Sequence, residues 1–208
     1  MENGKEGKGM IVGLKVICVT GGIGSGKSAV SHILETLGAA VLDADAVSRE
    51  IVQKGQKALV ELIDYFGDEI LDDEGNLDRK KLSDIVFLSN EKLEVLNSIT
   101  HKYVRERLAE SLEIIKNTTN TEMVIFEVVI PFYDWLRNIV DEIWVVTADL
   151  SIRINRVMKR NGFSYQQTLD RINSQKSEED YLKIADKVIL NNGTLEELER
   201  QVIELFER

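Results

Sequence analysis

Cysteine is almost missing from this chain. Cys18 stands alone, so no disulfide can form within it, and a reducing compartment, the cytoplasm, is the expected setting. No apolar run reaches the roughly 18 residues of a membrane-spanning helix, so no membrane association is expected. The first nine residues are polar and lack the apolar stretch of a secretory signal. Residues 1–13 read as a disordered tail, with Met10 as an alternative start. Basic residues are also scarce: Lys and Arg number 26 against 36 Asp and Glu, a net charge of −10. That balance speaks against general nucleic-acid binding, which needs a basic surface, while leaving room for a local basic cleft that holds phosphates. Proline occurs once, at Pro131, and there are neither repeats nor low-complexity stretches.

What is present is an ordinary soluble composition, 43% hydrophobic over 208 residues, enough for one large domain or a core with an inserted subdomain. Within it, residues 21–28 read Gly-Gly-Ile-Gly-Ser-Gly-Lys-Ser, a complete phosphate-loop signature. Glycines let successive backbone N–H groups converge on phosphate oxygens, and the N-terminus of the following helix adds its partial positive charge. Gly22, Ile23, Gly24, Ser25 and Gly26 are therefore candidate ATP-binding residues. Lys27 would reach the β- and γ-phosphates, and the Ser28 hydroxyl would ligate Mg²⁺. The setting is the required one. A β-branched run at residues 14–20 precedes the loop, and Ala29, Val30, Ile33, Leu34 and Leu37 recur after it at helical spacing, with Gly38 closing the helix. Cys18, inside that first strand, reads as a small buried hydrophobe rather than a nucleophile.

A second short strand, residues 39–42, runs into Asp43-Ala44-Asp45. In an open parallel sheet ligands bind beyond the carboxyl ends of the strands, so both acids are expected in the crevice that holds the γ-phosphate. Alternation along an extended segment would put them on one side. Phosphoryl transfer needs a metal-organising acid and a group to take the proton of the attacking hydroxyl, and two acids there suit those roles. The plainer alternative makes Asp45 an N-cap and Asp43 a turn residue.

From residue 46 to about 117 helical periodicity takes over, far more than a strand crossover needs, which predicts an inserted helical subdomain. A phosphate acceptor is the partner expected there. Arg49, Arg79, His101, Arg105 and Arg107 lie in it and would suit an anionic acceptor. The sheet resumes over residues 122–130. Glu127 interrupts that apolar run; it faces the crevice, toward Mg²⁺-bound water or the acceptor, or it lies on a solvated edge, and it is grouped here with the acceptor side. A fourth strand spans 142–147. A basic helix–turn–helix follows, a lid at about 153–177, with Arg156 and Arg160 four residues apart and so on one face. Such arginines would close on the phosphates and stabilise transition-state charge, Arg156 as an ATP contact and Arg160 as a catalytic group. After a fifth strand at 185–190, the Asn191-Asn192-Gly193 turn is placed to touch a nucleotide base, through Asn192. An amphipathic helix over 195–206 closes the chain.

Taken together these segments resemble the dephospho-coenzyme A kinase family from about residue 14 to 202. The phosphate loop is shared widely. The combination with Asp43-Ala44-Asp45, Arg49, Phe66-Gly67, Gly75-x-Leu77-x-Arg79-x-x-Leu82, Arg171-Ile172-x-x-Gln175 and Asn191-Asn192-Gly193 is narrower. The resemblance implies an α/β fold with a five-stranded parallel sheet: a P-loop kinase core (14–45 and 118–208), the helical acceptor domain (46–117) and the small helical lid. It implies ATP- and Mg²⁺-dependent phosphorylation of the ribose 3′-hydroxyl of dephospho-coenzyme A, giving coenzyme A. Separately from the resemblance, a monomer or weak homo-oligomer is expected. Asp45 corresponds to the family's catalytic base, and Asp43 and Ser28 to its Mg²⁺-organising residues. Two departures stand out on the acceptor side. Lys102 follows His101 where the family usually has proline, and after Glu127 the family's acidic-x-Pro-Leu-Leu-x-Glu segment has its proline displaced to Pro131 and ends in Tyr133. Two other readings stay open at this level: a P-loop kinase of another small hydroxyl metabolite, and a nucleotide-dependent switch whose insert docks a partner.

Overall fold

The computed structural model describes residues 13–129 and 133–207. The expected tail before Gly13, the alternative start at Met10, Pro131 and the side chain of Tyr133 lie outside the described residues. Five strands, β1 (Lys15–Thr20), β2 (Ala40–Asp43), β3 (Met123–Glu127), β4 (Glu142–Thr147) and β5 (Lys187–Leu190), form one sheet in the order β2-β3-β1-β4-β5. Every pairing is parallel. The sheet is an α/β sheet of the expected kind, and its strands are near-continuous apolar runs because both faces are covered.

Alternation sorts the side chains between the two faces. Ile17, Val19, Ile125, Trp144, Val146 and Ile189 meet α1 (Lys27–Thr36) and α10 (Leu195–Phe206) through Val30, Leu34, Leu198 and Val202. Val16, Cys18, Val124, Phe126, Ile143 and Val145 face the opposite way. Cys18 is fully enclosed there, and burial pushes its thiol up to about 12, so it is inert as a nucleophile.

Between β2 and β3 come four helices, α2 (Ala44–Glu50), α3 (Lys57–Phe66), α4 (Arg79–Val86) and α5 (Asn90–Thr118). Their buried residues, among them Val47, Leu62, Leu82, Val104 and Leu108, join the apolar cluster on the Val16 face of the sheet rather than forming a separate core. Leu108 has no solvent exposure at all. Leu108→Ala is expected to lower unfolding free energy by about 3 kcal/mol, measured as a shift of the urea midpoint with an unchanged slope.

α5 runs through His101 and Lys102 without a break. A proline at 102 would remove a helical hydrogen bond and clash with the preceding turn. Lysine instead keeps the helix whole and reaches α3, where Lys102 Nζ donates to Glu61 at 2.9 Å and the Tyr103 hydroxyl donates to the same carboxylate at 2.7 Å.

The chain returns through β3, α6 (Tyr133–Arg137) and β4. It then forms α7 (Leu150–Asn161), α8 (Tyr165–Asn173) and the short α9 (Glu178–Leu182), reaches β5 and ends in α10. Sequence periodicity carries β3 to residue 130, but the strand stops at Glu127. Its partner β1 turns away into the phosphate loop after Thr20, and the last paired residues are Val19 and Glu127. Among the described residues no helix is long and apolar enough to cross a membrane.

Candidate active site

The phosphate loop leaves β1 at Gly21 and ends at Gly26, whose left-handed backbone (φ 103°) starts α1. A side chain at Gly26 would also strike Asn191 Nδ2, 2.1 Å from where its Cβ would stand. Glycine is thus required on both conformational and steric grounds. No side chain caps α1, so the N–H groups of Lys27 and Ser28 at its start stay available to an anion.

Lys27 Nζ donates to the Gly21 carbonyl at 2.8 Å. Burial lowers its pKa, and the carboxylates of Glu127 and then Asp45 oppose that shift, while Arg153 and Arg160 add to it. One ammonium thus stands in the field of two acids that come from different strands' ends. Asp45 is exposed.

The two Asp residues reach the crevice by a different route from the one alternation suggests. Asp45 is not on an extended segment; it lies in the first turn of α2. Asp43 is the N-cap, its Oδ1 accepting from the Asp45 N–H at 2.7 Å. Helix initiation therefore sets the position of Asp45, and the capping role belongs to Asp43 rather than to Asp45.

Glu127 stands with the phosphate side. The Ser28 hydroxyl donates to Glu127 Oε1 at 2.6 Å, and Glu127 is opposite Asp43 in the β2–β3 register. Its placement is a matter of period two. Ile125 faces α1, so Glu127 does too, and Ser28 is on α1. That signal was in the sequence, but it needed the knowledge that α1 covers that face.

On the other flank α7 lies along the loop. Arg156 Nη2 donates to Asn191 Oδ1 at 3.1 Å, and its Nη1 is 3.4 Å from the Ser25 carbonyl. Arg160 shares with Gly24, Gly26, Lys27, Ser28 and Arg156 a pocket of about 150 Å³. Its Nε donates to the Asn161 side chain. Arg153, one turn before Arg156, is buried, and its Nε donates to the Ile23 carbonyl at 3.0 Å.

Asn192 is engaged elsewhere. It accepts from the Asp149 N–H and donates to Asp149 Oδ1, both at 2.8 Å, which ties the turn after β5 to the start of α7. Its neighbour Asn191 is the one against the loop, buried, with Nδ2 donating to the Ser25 carbonyl at 2.8 Å. Here too alternation points the right way, since Asn191 follows Ile189 by two and Ile189 faces α1.

The cations of the helical segment have different local settings. Arg79 begins α4 and lines an open apolar cavity of about 310 Å³ with Val52, Leu82, Phe87 and Leu96. His101 and Arg105 lie one turn apart on α5, outside that cavity's lining; Arg105 Nε donates to the His101 carbonyl. Burial first, and then the Arg105 charge, hold the His101 pKa down. Arg107 pairs with Glu50 at 2.9 Å. Arg49 is exposed in the last turn of α2, one turn beyond Asp45.

The chain is similar to known proteins over most of its length. A family model described as dephospho-CoA kinase matches residues 15–197. The dephospho-CoA kinase of Carboxydothermus hydrogenoformans is 40% identical over 195 residues, covering 94% of each chain. That of Thermobifida fusca is 41% identical over 189 residues, 91% of this chain and 93% of its own. Among solved structures, the dephospho-CoA kinase of Campylobacter jejuni superposes with a TM-score of 0.67 at 25% identity, covering 92% of this chain and 95% of that one.

Proposed function

The chain belongs to the dephospho-CoA kinase family, a phosphotransferase of the final step of coenzyme A biosynthesis, and on that premise we propose how its residues divide the reaction. ATP is the phosphate donor and the ribose 3′-hydroxyl of dephospho-coenzyme A the acceptor. The observation that carries the reading is the pocket at the phosphate loop that Lys27, Ser28, Arg156 and Arg160 line together, with the Ser28 hydroxyl in contact with the Glu127 carboxylate.

The loop cradles the ATP phosphates through the backbone N–H groups of Gly24, Gly26, Lys27 and Ser28, and Lys27 leaves the Gly21 carbonyl to meet the β- and γ-phosphates. Asp45 takes the proton of the 3′-hydroxyl as its oxygen bonds to the γ-phosphorus and the bond to the ADP oxygen breaks. It is exposed at the mouth of the crevice, where an incoming alcohol has access. Arg156 and Arg160 face the same phosphates from α7 and balance the charge that spreads over the transferring group. Asn191, rather than Asn192, braces the loop; Asn192 shapes the wall of the nucleotide site through Asp149.

The donor set fits Mg²⁺. A serine hydroxyl and a carboxylate in direct contact are hard oxygen ligands, and this ion is usually held by one or two carboxylates plus phosphates and waters rather than by a protein cage. Among the described residues no group of three or more His, Cys, Asp or Glu side chains is close enough to form such a cage. Ser28 and Glu127 would hold it, with Asp43 beside Glu127 in register. When bound, the ion would neutralise negative charge that develops on the phosphates. Glu127→Gln is expected to raise the Mg²⁺ concentration for half-maximal rate by about tenfold or more, read from a metal titration at saturating ATP.

Residues 46–117 form the acceptor-binding unit. Arg79 at the apolar cavity suits a substrate with both a flexible, weakly polar arm and phosphates, and Arg49 lies one helical turn after Asp45, next to Ser48 of the cavity wall. With a single inert thiol and an acidic surface, the cytoplasm is the compartment we assign. The decisive experiment is a coupled assay for ADP release with ATP and dephospho-coenzyme A, with and without Mg²⁺, beside a panel of other alcohols. Release that depends on dephospho-coenzyme A is the expected result; transfer to another alcohol and not to it would overturn the assignment.

A further inference from the structure

We propose that Gln175 is a positioning residue for ATP, holding the phosphate loop in its binding shape by fixing Ile23 together with Arg153. The inference rests on the reading of residues 21–28 as the cradle for ATP phosphates. Ile23 is gripped at both of its backbone polar groups. Its N–H donates to Gln175 Oε1 at 2.7 Å, across 152 positions of sequence. Its carbonyl accepts from Arg153 Nε at 3.0 Å. Arg153 is in α7 and Gln175 follows α8, so the two roots of the α7–α8 hairpin close on a single residue of the loop.

The fit around this grip is close. A Cβ at Gly22 would stand 2.2 Å from Arg153 Nη2, and one at Gly24 would stand 2.7 Å from the Arg153 carbonyl oxygen. The arginine is itself anchored. It is buried, the Glu178 and Tyr181 side chains are near enough to act on its charge, and the Glu178 carboxylate accepts from the Thr147 hydroxyl at the end of β4. Gln175 is partly buried and accepts through one oxygen.

The loop needs such external restraint. Gly21, Gly24 and Gly26 all have positive φ, and none has a side chain with which to fix its own conformation. Convergent N–H groups bind a phosphate only while they converge. If the loop spends most of its time in other shapes, apparent affinity falls by the fraction that is competent. Arg153 holds the carbonyl half of the residue whether or not Gln175 is present. Removing Gln175 therefore frees one N–H and one hinge of the loop without dismantling the core beneath it. The same contact also limits the lid. Its two roots are fixed to the loop, so any closing movement belongs to the segment between them.

The test is Gln175→Leu, which keeps bulk and loses the acceptor. ATP Kd and KM are expected to rise by about tenfold, with kcat at saturating ATP within about threefold of the parent. The second measurement is amide hydrogen exchange of the nucleotide-free protein, resolved at Ile23. Exchange there is expected to be slow in the parent and roughly tenfold faster in the Leu variant. Gln175→Glu, with an acceptor oxygen at the same reach, should restore slow exchange, which a role in packing alone would not predict. If the Leu variant does not fold, Gln175→Asn replaces it, because its shorter amide cannot span to Ile23. An Ile23 amide that exchanges equally in variant and parent, or an ATP KM within twofold of the parent, overturns the proposal. A parent protein that binds no ATP would instead remove the cradle reading itself.

Discussion

Lys27→Met is expected to lower kcat/KM for ATP about a thousandfold while leaving the melting temperature within about 3 °C of the parent. The two halves of that expectation have different causes. In the nucleotide-free protein the Lys27 ammonium is desolvated enough to depress its pKa, and its direct partner is a backbone carbonyl rather than a carboxylate. Methionine keeps the length and apolar stem of the side chain, and Glu127 retains its hydrogen bond from Ser28, so little of the fold depends on the charge. The transition state does depend on it. Negative charge on the transferring group and on the leaving phosphate meets the ammonium in a site from which much water is excluded, where one such group is worth several kcal/mol. Arginine should not substitute, because its planar fork is shaped for two acceptors while the space beside Gly21 accommodates a point charge. Turnover within tenfold of the parent would sink the role given to Lys27.

Asp45→Asn separates proton transfer from binding. We expect kcat to fall at least a hundredfold with ATP KM changed by less than about threefold. The amide would keep the size of the side chain in the first turn of α2, and the Asp43 cap accepts from the backbone N–H of residue 45, which the substitution leaves in place. Loss of a first-turn acid costs about 0.5 kcal/mol of helix stability, too little to explain such a rate. The comparison with Glu127→Gln is what assigns the acids. If Glu127 were the base, its variant would lose kcat at every Mg²⁺ concentration and Asp45→Asn would be nearly silent. The reverse pattern, with a Mg²⁺ titration shifted only in the Glu127 variant, supports the division proposed above. Full activity in Asp45→Asn would exclude it as the base.

The strands, the loop and α1 were legible because their signals are local: β-branched runs, a glycine pattern, helical spacing. β4 and α10 fall on the residues expected from the sequence. The errors arose where a residue's position depends on something distant in sequence. β3 is shorter than its apolar run because its partner β1 turns away, which no window around residue 128 can register. Alternation treats Asp45 as part of an extended segment, whereas it belongs to a helix that starts before it, at Ala44. Glu127 and Asn191 carried a period-two signal toward α1, but the side of the sheet that α1 covers is a tertiary fact. In sequence Arg153 is one more basic residue on the helix of Arg156 and Arg160; burial behind the loop sets it apart from them, and burial is not written in a charge pattern. For the cations of residues 46–117 composition gives only the type of residue, while the structure adds a setting for each: a cavity wall for Arg79, an exposed turn for Arg49 and α5 for His101, Arg105 and Arg107.

The strand order also bears on how the chain comes together during synthesis. β3 occupies the slot between β2 and β1, so Lys15 pairs with Met123 and Ala40 with Val124. The first two strands to emerge from a ribosome thus have no neighbour in the sheet until the third arrives, after every helix from α2 to α5 has been made. Their edges and apolar faces must wait through that interval, which is the situation in which unpaired strands associate wrongly. The helices between them fold through nearer contacts and can form sooner. The segment that separates the two halves of the nucleotide site in sequence is thereby also the clock that delays their joining: the phosphate loop has its amino-terminal strand from the start, yet gains a sheet to stand on only when Glu127 is in place.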